Sequence, residues 1–239
     1  MTEGRREPHP ELARLAANRV IIESVSPEID GGRFPAKAAV GDCFTVEADI
    51  FADGHDRISA AFLIRRADQP EWREVPMAYF DNDRWRGFVV VEENARYRYT
   101  LIAWRNLFAS WRDEVSKKHA AGVPISLELI EGRNLVERTL AESDRVGEYD
   151  REPLRGLLSQ LETAEDEQSR LTLLMSGDTA ALMKRAGIRT NLSRYDRELE
   201  LIVDRKRAAF SAWYELMPRS MSDDPKRHGT FDDVIRKLP

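Results

Sequence analysis

Cysteine is all but missing: Cys43 is the only one among 239 residues. An intrachain disulfide and a multi-cysteine zinc site are both excluded. Cys43 opens an alternating run, Cys43-Phe44-Thr45-Val46, and reads as a small half-buried strand residue rather than a nucleophile. Histidine is scarce as well. His9, His55, His119 and His228 lie far apart, and no two have the spacing that puts a pair of imidazoles on one metal. Neither a metal nor a cofactor is expected. Apolar residues never run to the roughly 18 that a spanning helix needs, and the mean hydropathy is −0.53. The polar start, Met1 to Pro10, lacks the apolar stretch of a secretory signal. An excess of positive charge is missing too. Against 42 Asp and Glu stand 37 Lys and Arg, for a net charge of −5, which gives no built-in attraction to nucleic acid or anionic lipid. These absences point to a cytoplasmic, soluble protein with neither nucleic acid nor membrane as a partner.

At roughly 100–200 residues per domain, the length allows one large or two small domains. Residues 1–17 read as a disordered or extended amino terminus. Residues 18–112 read as all-β. Val20-Ile21-Ile22 opens a β-branched run, and Asp30-Gly31-Gly32 supplies the positive-φ residues of a tight turn. Phe44, Val46, Ala48 and Ile50 recur at every second position, as do Ile58, Ala60, Phe62 and Ile64. Period two places one side on a core and the other in water. Asp53-Gly54 marks a turn, and Asp81-Asn82-Asp83 marks a hairpin between a short strand from Trp72 to Met77 and a strand from Trp85 to Val91. In the last strand, Tyr97, Tyr99, Leu101 and Ala103 face one way and Arg96, Arg98, Thr100 and Ile102 the other. Six or seven short strands at this spacing predict an immunoglobulin-like β-sandwich.

Residues 113–190 switch to a helical period and predict a bundle of three or four helices. Leu154, Leu157, Leu158, Leu161 and Ala164 form one apolar stripe, with Pro153 in a first helical turn. Leu129, Val136 and Leu140 mark an earlier helix; Asp178 is a candidate N-cap and Gly187 a stop. Residues 191–239 change again. Leu199, Leu201 and Val203 alternate, and Ala208 to Leu216 is nearly continuous in apolar residues. That run predicts a strand buried on both faces, as in a parallel sheet. A polar loop from Ser222 to His228 leads to a helix with Thr230 as its N-cap. A parallel strand followed by a helix requires a second parallel strand after the crossover. The chain stops where that strand would begin, so the sequence is expected to be a piece of something larger.

The run Trp213-Tyr214-Glu215-Leu216, then Gly229-Thr230-Phe231, then Leu238-Pro239, resembles the opening of an alpha-amylase-family barrel. Further stretches narrow this. They are Arg19-Val20-Ile21-Ile22-Glu23, Ser26 through Pro35 (SPEIDGGRFP), Phe51 through Asp56 (FADGHD), Asn82-Asp83-Arg84-Trp85, and Phe210 through Ser220 (FSAWYELMPRS). In this order, over about residues 18–239, they resemble the start of the maltose-1-phosphate-dependent alpha-1,4-glucan maltosyltransferases. The resemblance implies a bacterial enzyme that moves a maltosyl unit from alpha-maltose 1-phosphate to an alpha-1,4-glucan with retention, releasing phosphate. It also implies a layout of sandwich, helical insert and the first βα unit of a (β/α)8 barrel, assembled as a homodimer. No catalytic residue is expected within this chain, because the family's nucleophile and acid/base lie beyond Pro239. An alternative remains: a non-catalytic module that binds glucan and dimerises.

Two substrate-binding candidates stand at the end of the apolar run, Arg219 and Ser220. Contact with donor or acceptor is one reading; anchoring of the loop is the other, and it is preferred because one strand end rarely makes a barrel site. Asp223-Asp224 and Asp232-Asp233 are adjacent in sequence, which points their side chains apart. They read as capping or solvent residues; acid near a helix start suits the dipole. Trp72, Trp85, Trp104 and Trp111 offer faces for sugar rings, but core packing is the preferred reading of a tryptophan set.

Overall fold

A computed structural model of the chain describes residues 19–213 and 215–238. The stretch 1–17 lies outside the described residues. Seven strands come first: β1 Val20–Ser26, β2 Ala36–Ala39, β3 Cys43–Ala52, β4 Ile58–Arg66, β5 Arg73–Asp81, β6 Arg84–Val90 and β7 Ala95–Arg105. Five helices follow: α1 Leu107–Ala120, α2 Ser126–Glu142, α3 Glu148–Thr163, α4 Glu167–Met175 and α5 Gly177–Ala186. The chain then returns to strands, β8 Thr190–Arg194 and β9 Leu199–Asp204, and ends in a short helix, α6 Phe231–Lys237. Among the described residues no helix is long and apolar enough to cross a membrane.

The strands form one mixed sheet in the order β1-β3-β6-β5-β4-β7-β9-β2, with β8 also on β7. The pairings are antiparallel except β2 with β9. β5 turns the corner. Its first half, Arg73 to Met77, pairs with β4, and its second half, from Ala78, pairs with β6. The sheet therefore curls, and its halves face each other across one core. The alternating residues enter that core as their period predicts: Phe44, Val46, Ala48 and Ile50 from β3; Ala60, Phe62 and Ile64 from β4; Tyr99, Leu101 and Ala103 from β7. Phe44 and Tyr99 meet edge-on, with ring centroids 5.2 Å apart. At Gly87 on β6 a Cβ would lie 3.0 Å from Met77 Cγ and from the Phe62 ring, so glycine lets the halves close. The turns also follow the sequence. Asn82 and Asp83 both have positive φ, as a two-residue hairpin of right-handed strands requires, and Asp30, Gly31 and Gly32 are all left-handed.

Residues 191–204 depart from expectation. The sequence assigned them to the start of a barrel; instead β8 and β9 pair with β7, and Leu199, Leu201 and Val203 complete the core of the curled sheet. Period two identifies a half-buried strand but says nothing of which sheet it joins. β2 had no counterpart in the sequence reading, since four residues are too short for a clear alternation. It forms because β9 offers it a parallel edge.

Five helices replace the expected three or four. α1 begins at Leu107, inside the stretch read as sandwich, with the Asn106 side chain accepting from Ala109 N. Leu154, Leu157 and Leu161 are buried as the stripe predicts. Pro153 is the sixth residue of α3 rather than part of its first turn. Ser176, not Asp178, caps α5, accepting from Thr179 N at 3.1 Å, and Gly187 ends that helix. The bundle has its own apolar cluster, from Phe108 to Ala186. Ala61, Ile102 and Trp104 form a small third cluster on the other face of β4 and β7. Arg189 lies over the Trp104 ring at 3.8 Å and pairs with Glu74 at 2.5 Å, while Arg57 pairs with Asp113 on α1 at 2.5 Å. These contacts tie sheet to bundle.

The apolar run from Ala208 to Leu216 is not a strand where it is described; Tyr214 lies outside the described residues. A 3-10 turn, Lys206–Ala209, gives way to irregular chain with Phe210, Trp213 and Met217 well exposed. A strand gains its backbone hydrogen bonds only from a neighbour. Among the described residues no strand pairs with it, and the roughly 1.5–3 kcal/mol that burial of each large side chain would supply is not realised.

Candidate functional site

Arg219 and Ser220 lie on one 3-10 turn, Pro218–Ser220. The turn is closed by Ser220 N donating to Met217 O at 2.9 Å and Met221 N to Pro218 O at 3.1 Å. Both side chains are exposed. Ten residues on from Arg219, Gly229 N donates to Arg219 O at 2.8 Å. A Cβ at Gly229 would lie 2.8 Å from the backbone nitrogens of Met221 and Ser222 and closer still to Pro218 O, so only glycine permits this approach. The approach brings His228 beside the turn, with Arg219 Nη2 3.1 Å from His228 Nε2.

Asp233, in the first turn of α6, organises the other side of the loop and is only 1% exposed. Arg227 grips its carboxylate with two nitrogens at 2.8 and 2.9 Å, Thr230 donates from N at 2.7 Å and from Oγ1 at 2.9 Å, and Arg236 adds a further contact. The Arg227 hydrogen bonds and the Thr230 N–H hold this carboxyl well below the usual aspartate range. Lys237 pairs with Asp223 at 2.8 Å and lowers that carboxyl too. Asp224 accepts from Lys226 N at 2.9 Å. Asp223, Asp224 and Asp233 therefore cap and brace, as the sequence suggested. Arg219 has no carboxylate partner among the described residues, whereas Arg227 and Arg236 share Asp233.

The structure thus keeps both predicted site residues together on one turn and adds two that sequence reasoning missed as partners, His228 and Asp233. The signal was faint. His228 precedes the Gly-Thr-Phe run, and only the folded loop turns a separation of nine residues into contact. Among the described residues there is no cluster of three or more His, Cys, Asp or Glu that could hold a metal.

The tryptophans divide. Trp104 and Trp111 are buried, the latter donating from Nε1 to Glu128 O at 2.7 Å. Trp72 is half-buried and carries Arg65 over its ring at 4.6 Å. Half-buried Trp85 donates to Ile50 O at 3.1 Å and meets Tyr79 edge-on at 5.9 Å. A second polar centre joins the loop after β1 to the β8–β9 loop: Tyr195 donates to Glu28 at 2.5 Å, Arg197 pairs with the same carboxylate, and burial raises the Tyr195 hydroxyl to about 12.

Comparison with known proteins gives one consistent answer. Residues 18–205 match a family model described as alpha-1,4-glucan:maltose-1-phosphate maltosyltransferase, domain N/S. A protein of Cereibacter sphaeroides named alpha-1,4-glucan:maltose-1-phosphate maltosyltransferase is 50% identical over 228 residues, which is 95% of this chain and 33% of that protein. Proteins of the same name from Chlorobaculum tepidum and Burkholderia pseudomallei are 42% and 40% identical, over 92% and 95% of this chain and 32% and 20% of their own lengths. The chain spans about a third or less of the length of these curated relatives.

Proposed function

The chain belongs to the alpha-1,4-glucan:maltose-1-phosphate maltosyltransferase family, and from that premise we propose that it serves as the amino-terminal portion of such an enzyme. The working polypeptide extends an alpha-1,4-glucan by maltosyl units taken from alpha-maltose 1-phosphate, with retention and release of phosphate. Retention calls for a carboxylate nucleophile and an acid/base about 5–5.5 Å apart. The acids of the carboxy-terminal loop are engaged in capping and bracing, so the chemistry belongs to residues outside this chain. The observation that carries this reading is the family match over residues 18–205 joined to an exposed apolar segment directly after it.

In this reading the curled sheet is an immunoglobulin-like sandwich, supported by its two facing halves and shared core. The helices are an insert between its strands. Residues 206–239 open a barrel whose remaining strands cover Phe210 and Trp213. Arg219 and Ser220 then stand at the end of the first barrel strand, where a barrel site is built, and contact donor or acceptor. The assembly is a homodimer in the cytoplasm.

Phosphate release from alpha-maltose 1-phosphate in the presence of maltohexaose tests the assignment. The intact polypeptide that carries this chain should turn over, and the 239-residue chain alone should not. Robust turnover by the chain alone, or none by the intact polypeptide, overturns it.

A second reading, a glucan-binding and dimerising module without catalysis, is favoured by Tyr79, which is 60% exposed against a fixed Trp85. Calorimetric titration with maltohexaose decides it: absence of heat at millimolar ligand removes the glucan half. A monomer in sedimentation removes the other.

A further inference from the structure

We propose that His228 is a positioning residue for Arg219, its neutral imidazole accepting a hydrogen bond at Nε2 from the guanidinium and fixing the direction in which that cation points. The inference deepens the reading of Arg219 as a substrate contact and rests on it for its functional consequence.

The argument begins with donors and acceptors. A guanidinium has five N–H groups and no acceptor. A contact of 3.1 Å between Arg219 Nη2 and His228 Nε2 therefore requires a lone pair on Nε2, with the imidazole proton on Nδ1. A protonated imidazole offers no lone pair and would set two cations side by side. Two arginines contact His228. Arg219 faces it from the 218–220 turn. Arg227 donates from Nη1 to the His228 carbonyl at 3.2 Å, and its guanidinium is held by Asp233 on α6. No carboxylate is recorded against the ring among the described residues.

Geometry fixes the pair from both sides. The backbone bond from Gly229 N to Arg219 O, together with the glycine-only approach there, sets the two Cα positions. The Arg227–Asp233–Thr230 network sets the loop that carries His228. A neutral acceptor leaves the arginine's charge uncompensated, as a carboxylate would not. The remaining N–H groups of Arg219 stay available to an anionic or hydroxyl-rich ligand, oriented in advance. Orientation set before binding reduces the freedom that must be lost on binding.

Long-range proton–nitrogen correlation spectra of the histidine side chains in the unaltered 239-residue chain, at about pH 7.5, report the tautomer directly. The expected result is an unprotonated Nε2 and a protonated Nδ1 at His228, with that preference lost in Arg219→Met. A proton on Nε2 in the unaltered chain, or a signature indifferent to Arg219→Met, overturns the proposal.

In the intact polypeptide, His228→Leu should raise KM for alpha-maltose 1-phosphate about tenfold with kcat within about twofold, the loss of one charge-assisted hydrogen bond. His228→Gln, whose side-chain oxygen can accept in the same place, should restore KM. Failure of the glutamine variant to do better than the leucine variant also overturns the positioning role. If Arg219→Met itself leaves KM unchanged, it is the reading of Arg219 as a contact that fails, and the tautomer alone then decides the role of His228.

Discussion

A methyl group at position 132 would sit 2.7–2.8 Å from Cε2 and Cη2 of Trp111. That indole cannot retreat, because its Nε1 is bonded to Glu128 O one turn earlier on α2. Gly132 therefore has a packing reason in mid-helix, against its intrinsic cost of about 1 kcal/mol relative to alanine. Gly132→Ala should destabilise by about 1–3 kcal/mol despite its better helix propensity, read as a lower urea midpoint; a gain in stability would mean the ring is free to move. Asp233 makes a different prediction at the same scale. Its folded pKa is depressed by Arg227 and Thr230, so the bracing it provides is fully present above the unfolded value of roughly 3.9 and is lost as pH falls toward the folded value. Amide protection in α6 should hold steady between about pH 7 and 5 and decline below about pH 4. Asp233→Asn should remove that acid dependence. Protection that falls already near neutrality would contradict it.

Elements follow local rules until a neighbour is needed. The hairpin at Asn82-Asp83 and the start of α6 at Thr230 were legible, because each depends on a few consecutive residues. The segment 208–216 was not. Its apolar content is that of a buried strand, yet nothing local supplies the partner, and Trp213 is 93% exposed. Iodide should quench a distinct part of the chain's tryptophan emission, and Trp213→Phe should abolish most of that part while changing stability by no more than about 0.5 kcal/mol. A protected Trp213 would show the segment packed onto its own chain. Helix α5 carries a similar lesson on a smaller scale. Ser176 and Asp178 are both good caps, and the path of the chain out of α4 selects Ser176, whose hydroxyl also meets the Thr179 side chain at 3.0 Å.

For the whole molecule the decisive feature is the return of the chain to its first sheet after the five helices. Leu199, Leu201 and Val203 are buried in the same core as Phe44 and Phe62. At roughly 1.5–3 kcal/mol each, these three side chains contribute about 5–9 kcal/mol. That is comparable to the total stability of a typical domain, about 5–15 kcal/mol. A chain ending at residue 205 should keep cooperative unfolding of the sheet, and one ending at 190 should lose it. Calorimetry of the two truncations checks this, and equal transitions would show β9 to be dispensable. The family match ends at the same place, residue 205. The candidate site lies outside that unit, on a loop braced by its own arginines, where the proposed barrel would add its other strands.

By itself the sequence determined the alternating strands, the helical stripe, the tight turns and the family, because each is written in residues close together or in motifs whose order survives without the fold. Only the tertiary structure decided where β9 belongs, whether Ala208–Leu216 forms a strand, and which residue stands beside Arg219. Those three depend on partners far along the chain or outside it: a strand needs a neighbour to satisfy its backbone, and His228 meets Arg219 only once Gly229 has closed the loop. The scarcity of cysteine excluded an intrachain disulfide and a multi-cysteine zinc site from the first lines of the sequence. What it left unsaid is that one of the four histidines, His228, stands beside an arginine.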